Sequence, residues 1–380
     1  MLKKITLRNF KSFRDSTFEL GPLTLMVGAN AGGKSNFVDA LRFLQGCARS
    51  LTVIEILSGK WQGGQLVWLP IRGNEQEAFN LFHDSKTFEL IIDWEPPTLT
   101  MTYDVEVKAF NSKIAFTRER WLVDGERYDS SIDQNIGDYG VSNFDFLIAL
   151  PDVPENVRKS TRFLREWLND LHFLEPNPSL MRNFASKLHT RIGTHGENLS
   201  SVLFNLASDT KQRQTILDWI QELCTQEISD LHFYRTELGD EVLLAIKEPK
   251  GTIISARSMS DGTLRFLAII IAMLTAKEGT TFIIEEIDND LHPSRLHLLV
   301  NFLEQVTMSR KLQVIASTHS PYFLDHLSES SLKNVLVFHR DQQSAETKVT
   351  KLIDIPGFTE ARKNMPLDLM HASSWMEQNL

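Results

Sequence analysis

GANAGGKSN, residues 28–36, is the stretch whose reading decides the fold. Three glycines, two alanines and one lysine in nine residues make either a flexible connector or a cradle for phosphate. The flanking residues separate these readings. Residues 23–27 (LTLMV) form a short apolar run ending at Gly28, as a buried strand does. Beyond the glycines, Phe37, Ala40, Leu41 and Leu44 recur at helical spacing. A connector would not sit between a buried strand and an amphipathic helix. The spacing also fits G-x-x-x-x-G-K-[ST], in which glycines let successive backbone N–H groups turn inward around phosphate oxygens. The following helix adds its positive N-terminal end. Lys34 is therefore expected to reach the β- and γ-phosphates of ATP, and Ser35 to ligate Mg²⁺. Gly28, Asn30, Gly32, Gly33 and Asn36 complete the expected nucleotide-binding loop.

Bulk properties narrow the setting. The chain has 380 residues, 42% of them hydrophobic, enough for two lobes or for one domain with a large insertion. Its net charge of −9 argues against a constitutively basic nucleic-acid coat but leaves room for a local patch. Residues 158–191 carry Arg158, Lys159, Arg162, Arg165, Arg182, Lys187 and Arg191 against three acids. That run reads either as a solvated helical face or as a nucleic-acid site. Cys47 and Cys224, the only cysteines, cannot build a disulfide framework or a zinc site. No apolar stretch approaches the roughly 18–20 residues that span a bilayer. Residues 1–7 alternate like a strand and lack the apolar core of a signal peptide, so a cytoplasmic protein is expected.

Residues 3–9 and 16–20 alternate around a short turn and predict a hairpin. Residues 87–128 predict an antiparallel meander, with Asp124-Gly125 as a two-residue turn, and 129–140 a surface loop. From about 155 to 230 the pattern is helical, broken at Glu175-Pro176-Asn177-Pro178. Strand patterns return at 231–238 and 241–248, followed by a nearly all-apolar helix at 264–276. Apolar strands TFIIEE and LQVIAST, with a helix between them, precede a last pair, NVLVFHR and KVTKLIDI. The expected organisation is an N-terminal lobe (1–150), a helical insertion lobe (151–232) and a C-terminal lobe (233–380).

A P-loop requires an acidic partner at the end of another buried strand, and TFIIEEIDNDLHP (281–293) supplies one. Glu285 is the candidate Mg²⁺ ligand and Glu286 the candidate that orients the attacking water; the bland alternative is two solvated glutamates at a strand end. Ser260 and Gly262 open the apolar helix, where exposed N–H groups can bind an anion or can simply be capped. His319, after the last buried strand, is a structural histidine or a catalytic one.

In order and content these pieces resemble the ABC-type ATPases of the SMC/RecF-like group, and in particular the small bacterial AAA-type ATPases with an OLD-like core. The resemblance rests on residues 5–44 and on "SMSDGTLRFLAIIIAML", "TFIIEEIDNDLHP" and "VIASTHSPYFLD", about a third of the chain. It implies an α/β P-loop fold of the ABC/SMC type, a split nucleotide-binding domain with a β meander and a helical insertion lobe. It also implies that residues 259–263 are the signature motif, with Ser260 and Gly262 contacting the γ-phosphate held by a second subunit. Glu286 would be the catalytic glutamate, His319 the switch histidine, and Asp288 with residues 291–293 the loop after Walker B. Glu285 stands where the group usually has Asp. Gln62 and Gln65 are the candidates for a Q-loop glutamine. The 61 residues after His319 lack the Glu and paired-aspartate pattern of a TOPRIM nuclease, so any effector is expected to be a separate polypeptide. Three roles follow: an antiphage or abortive-infection ATPase acting as an ATP-linked homodimer, a RecF-like repair ATPase, or a transporter ATPase. The roughly 250 residues between Lys34 and Glu285 disfavour the last.

Overall fold

The computed structural model describes residues 1–380 except 81, 83, 96–99, 111–112, 132–140, 143, 150, 224–227 and 374. The chain divides into two compact units, Met1–Leu171 with Glu329–Leu380, and His172–Ser328.

In the first unit, strands Leu2–Phe10 and Phe13–Glu19 form the expected hairpin, its last pair Phe10 opposite Phe13. Strand Leu2–Phe10 then pairs with Thr87–Trp94, and Met101–Phe110, Lys113–Val123 and Glu126–Ser131 follow in antiparallel order. The alternation is literal in Thr87–Trp94, where Phe88, Leu90, Ile92 and Trp94 are buried and their neighbours are not. Asp124 and Gly125 both take positive φ (48° and 88°), as the tight turn joining the last two strands demands. Residues 129–131, expected in a loop, instead extend the final strand, because Arg118 to Arg120 offer them a free ladder edge. The rest of that expected loop lies outside the described residues.

The helix Lys34–Ala48 is joined to this sheet by aromatic side chains. Phe43 meets Phe10, Phe88 and Phe116 at centroid distances of 5.3–6.5 Å, in edge-to-face pairs. Phe37, one turn and a half earlier, meets Phe18 and Phe338. Strand Leu23–Val27 lies parallel to Val335–Arg340, which in turn pairs antiparallel with Thr347–Lys351. Lys11, at the hairpin turn, buries its ammonium against Asp39 of the helix at 2.6 Å and donates to the Arg72 carbonyl. A charge that deep persists only because both partners are present.

In the second unit, strands His172–Leu174, Thr281–Ile284 and Gln313–Ser317 run parallel, with Phe173, Ile283 and Ile315 in register. Helix Leu296–Ser309 connects the latter two strands. Helix Asp261–Thr275 matches the apolar helix expected at 264–276, starting three residues earlier and ending one residue short. A smaller antiparallel sheet joins Ala185–Ser186, Glu241–Lys247, Asp230–Arg235 and Ile253–Ser255. Residues 155–230 read as helical in sequence, yet His172–Leu174 and Ala185–Ser186 are strands. Elements this short show no periodicity, and their neighbours in the sheet decide them.

Candidate functional site

Three residues of the glycine-rich loop have positive φ: Gly28 at 130°, Ala31 at 62° and Gly33 at 105°. Packing demands glycine as firmly as conformation does. The register that sets Val27 beside Val337 brings Phe338 against Gly28, and a Cβ at Gly28 would lie 2.0 Å from the Phe338 carbonyl oxygen. At Gly33 it would lie 2.3 Å from Thr347 Oγ1, and at Gly32 3.0 Å from two carbonyl oxygens. The Gly32 N–H donates to Ala29 O and closes the turn.

Lys34 begins the helix and curls back over the loop, its Nζ donating to Gly28 O (2.7 Å) and Ala29 O (3.0 Å). The helix starts at Gly33 with no side chain capping it. A compact loop of backbone, an uncapped helix start and one buried ammonium fit a triphosphate. Among the described residues no group of three or more His, Cys, Asp or Glu is placed to hold a metal. Ser35 is the residue of this loop expected to hold Mg²⁺, an ion that takes few protein ligands and arrives with phosphate oxygens. Asn30 is exposed at the loop tip and Ser35 is half-buried. Asn36 turns aside, its Nδ2 donating to Ser12 Oγ at 2.7 Å, and Thr347 Oγ1 bonds the same hydroxyl. Gln62 and Gln65 face each other in the exposed hairpin Lys60–Gln62/Gln65–Trp68.

The second unit assembles the acids. Ile284, the last residue of its strand, pairs with Ala316, and the partner strand ends one residue later at Ser317. There the Glu286 N–H donates to Ser317 Oγ (2.9 Å), and Ile287 N–H donates to Ser317 O. Glu286 is held at φ 49°, a left-handed conformation that costs a non-glycine residue about 1–2 kcal/mol. Strain of this kind persists where the surroundings over-determine it. Its carboxylate lies 4.0 Å from His319 Nε2 and 3.4 Å from Asn289 Nδ2. Glu285, the residue before it, is half-buried.

The segment expected to be the signature motif lies in the same unit. Ser260 caps its helix, its Oγ accepting from Thr263 N–H at 3.2 Å. Gly262 is pressed on the loop that follows Glu286: a Cβ there would lie 2.2 Å from Asp290 O, and Arg265 Nε reaches Asp290 Oδ2 at 2.9 Å. A cavity of about 140 Å³ opens beside it, lined by Ser260, Gly262, Thr263, Phe266, Leu291 and Arg295. The structure thus brings Glu286 to His319, and Ser260 with Gly262 to the post-Walker loop. Ser317 is the residue that sequence reasoning missed; a buried hydroxyl at a strand end was its only signal.

A glycine cradle closing a parallel strand and opening a helix is the core of a P-loop NTPase, and the order of the later motifs makes it the ABC/SMC-like AAA ATPase type. The chain belongs to the family described as "AAA domain, putative AbiEii toxin, Type IV TA system", which matches residues 23–325. It is 21% identical over 347 residues to an ATP/GTP phosphatase of Helicobacter pylori, covering 87% of this chain and 88% of that protein. To an OLD nuclease of Thermus scotoductus it is 23% identical over 357 residues, covering 86% of this chain but only 60% of the nuclease. The SMC head domain from Thermotoga maritima aligns at a TM-score of 0.47 and 14% identity, over 92% of this chain and 98% of that one. No described helix is long and apolar enough to cross a membrane.

Proposed function

We propose that the chain binds and hydrolyses ATP, and that two copies close around two ATP molecules to form a sensor or regulator of bacterial antiphage or abortive-infection defence. A separately encoded effector would carry out the damage. The observation that carries the hydrolytic reading is the strained Glu286, fixed by Ser317 and facing His319. In that role Glu286 accepts a proton from the water attacking the γ-phosphate, a contribution typically worth about 10²–10⁴ in rate. His319 contacts the γ-phosphate, and Lys34 balances charge on the β- and γ-phosphates. Ser35 and Glu285 keep the magnesium-ligand roles expected of them, and the ion would supply charge neutralisation at the phosphates.

Closure is driven by differential affinity: ATP favours the closed dimer only through contacts the open form lacks. Ser260 and Gly262 of the partner copy supply those contacts to the γ-phosphate, which ADP does not have.

The defensive role is supported by the family description, whose words include "AbiEii toxin, Type IV TA system". Its test is phage plating on cells carrying this gene with its genomic neighbours. Protection should depend on the neighbour and vanish with Lys34→Ala. Unchanged plating together with sensitivity to DNA damage on deletion would replace this reading by the repair one.

A further inference from the structure

Arg182 belongs to the basic run that reads as a solvated face or a nucleic-acid site, but its side chain does something else. The Arg182 backbone N–H caps the C-terminus of the single-turn helix Pro178–Met181, which Asn177 starts by accepting from Ser179 N–H. Met181 is buried, and that turn is tightly held. A Cβ on the neighbouring Gly196 would lie 3.1 Å from Met181 Sδ and 3.4 Å from Ala268 Cβ of the signature helix. From this anchor Arg182 Nη2 donates to Met259 O at 2.8 Å and to Asp261 Oδ1 at 2.5 Å. The two partners are the residues on either side of Ser260.

We propose that Arg182 is a positioning residue for the signature serine, and that it acts by neutralising Asp261 at the point where a triphosphate must arrive. The proposal rests on the composite-site reading above. Asp261 at the first helical position suits the helix dipole of an isolated subunit. The same carboxylate repels an incoming γ-phosphate unless a cation is fixed beside it. Arg182 meets that need, and its hold on the Met259 carbonyl sets the backbone that presents Ser260. As a contribution to folding the pair matters little, since the Asp261 side chain is 54% exposed and water screens ion pairs of that kind. Its effect falls on closure instead, where water is excluded and charge is felt more strongly.

The double-mutant cycle Arg182→Gln, Asp261→Asn and both together, made in the Glu286→Gln background, tests this. ATP affinity is measured under monomeric conditions and ATP-driven dimerisation by sedimentation. Arg182→Gln should leave monomer affinity unchanged and raise the ATP concentration for half-maximal dimerisation about tenfold, as for one lost hydrogen bond to a charged group. Adding Asp261→Asn should restore most of that loss. A double variant as impaired as Arg182→Gln alone would overturn the charge-neutralising role, as would wild-type dimerisation by Arg182→Gln. Ser260→Arg run in parallel separates this failure from the failure of the composite site. If Ser260→Arg also dimerises with ATP, the site itself is wrong; if it does not, only the role of Arg182 falls.

Discussion

Lys34 and Gly28 show how much a single position can decide in the cradle. Lys34 donates to the loop's own carbonyls, so its ammonium is already aimed inward and desolvated. Lys34→Ala should lower ATP affinity at least about 100-fold, the loss of charge-assisted contacts in a preorganised site. Its thermal midpoint should stay near wild type; calorimetric titration with wild-type affinity would refute the assignment. Gly28 is constrained by backbone rather than by ligand. Gly28→Ala meets both a carbonyl oxygen at 2.0 Å and an unfavourable φ of 130°, whereas Gly125→Ala, at φ 88°, meets nothing within 4 Å. The second should cost only the conformational term, about 1–2 kcal/mol, and the first clearly more, read as denaturation midpoints. At Glu286 the change to Gln should slow hydrolysis at least about 100-fold with ATP still bound. Should Glu285→Gln give that phenotype and Glu286→Gln not, the two acids have exchanged roles.

The sheet of the first unit carries an unusual element-level feature, a ladder of charges across its strands. Glu89 meets Arg8 and Arg118, Arg118 meets Glu106, and Arg120 bridges Asp104 and Asp129. Asp104 is the member most removed from water. Burial, then the charge of Glu89, pushes its carboxyl up to about 6 against the pull of Arg118 and Arg120. Between its unfolded value of 3.8 and about 6 the folded state therefore holds a proton that the unfolded chain has released. By linkage, Asp104 contributes more favourably at low pH, and that contribution is lost as pH rises through about 6. Asp104→Asn should remove this slope, so its thermal midpoint should fall less than wild type's between about pH 4.5 and about pH 7. Parallel profiles would show that Asp104 titrates at an ordinary pH. At the other end of the P-loop helix, Arg165 and Asn169 donate to Ala48 O and close its last turn. Arg165→Ala should lower stability by about 1–2 kcal/mol through loss of a charged hydrogen bond to a carbonyl.

At the scale of the whole molecule the testable statement is assembly. Wild type and Glu286→Gln should sediment as dimers with ATP and as monomers with ADP, Glu286→Gln more persistently because it does not turn over. Ser260→Arg should bind ATP as a monomer and neither close nor hydrolyse. Normal hydrolysis by Ser260→Arg, or dimers indifferent to the nucleotide, would leave ATP a scaffolding role only.

What the sequence by itself determined is whatever consecutive residues decide. The cradle, the two-residue turn at Asp124-Gly125, the alternating strands and the apolar helix all follow from local φ preference and periodicity. The order of motifs, which carried the class, is likewise a property of the chain read in line. Only the tertiary structure decided where polar groups find partners. Asn36, read as part of the loop, bonds Ser12; Arg165 and Arg182, read as one basic run, bond Ala48 O at a helix end and residues Met259 and Asp261. Ser317 acquires its role because two strands end in register. The first unit, closed by both ends of the chain, was equally invisible in line. The reason is physical: a polar group's partner is set by which distant segments pack together, and packing is not periodic in sequence.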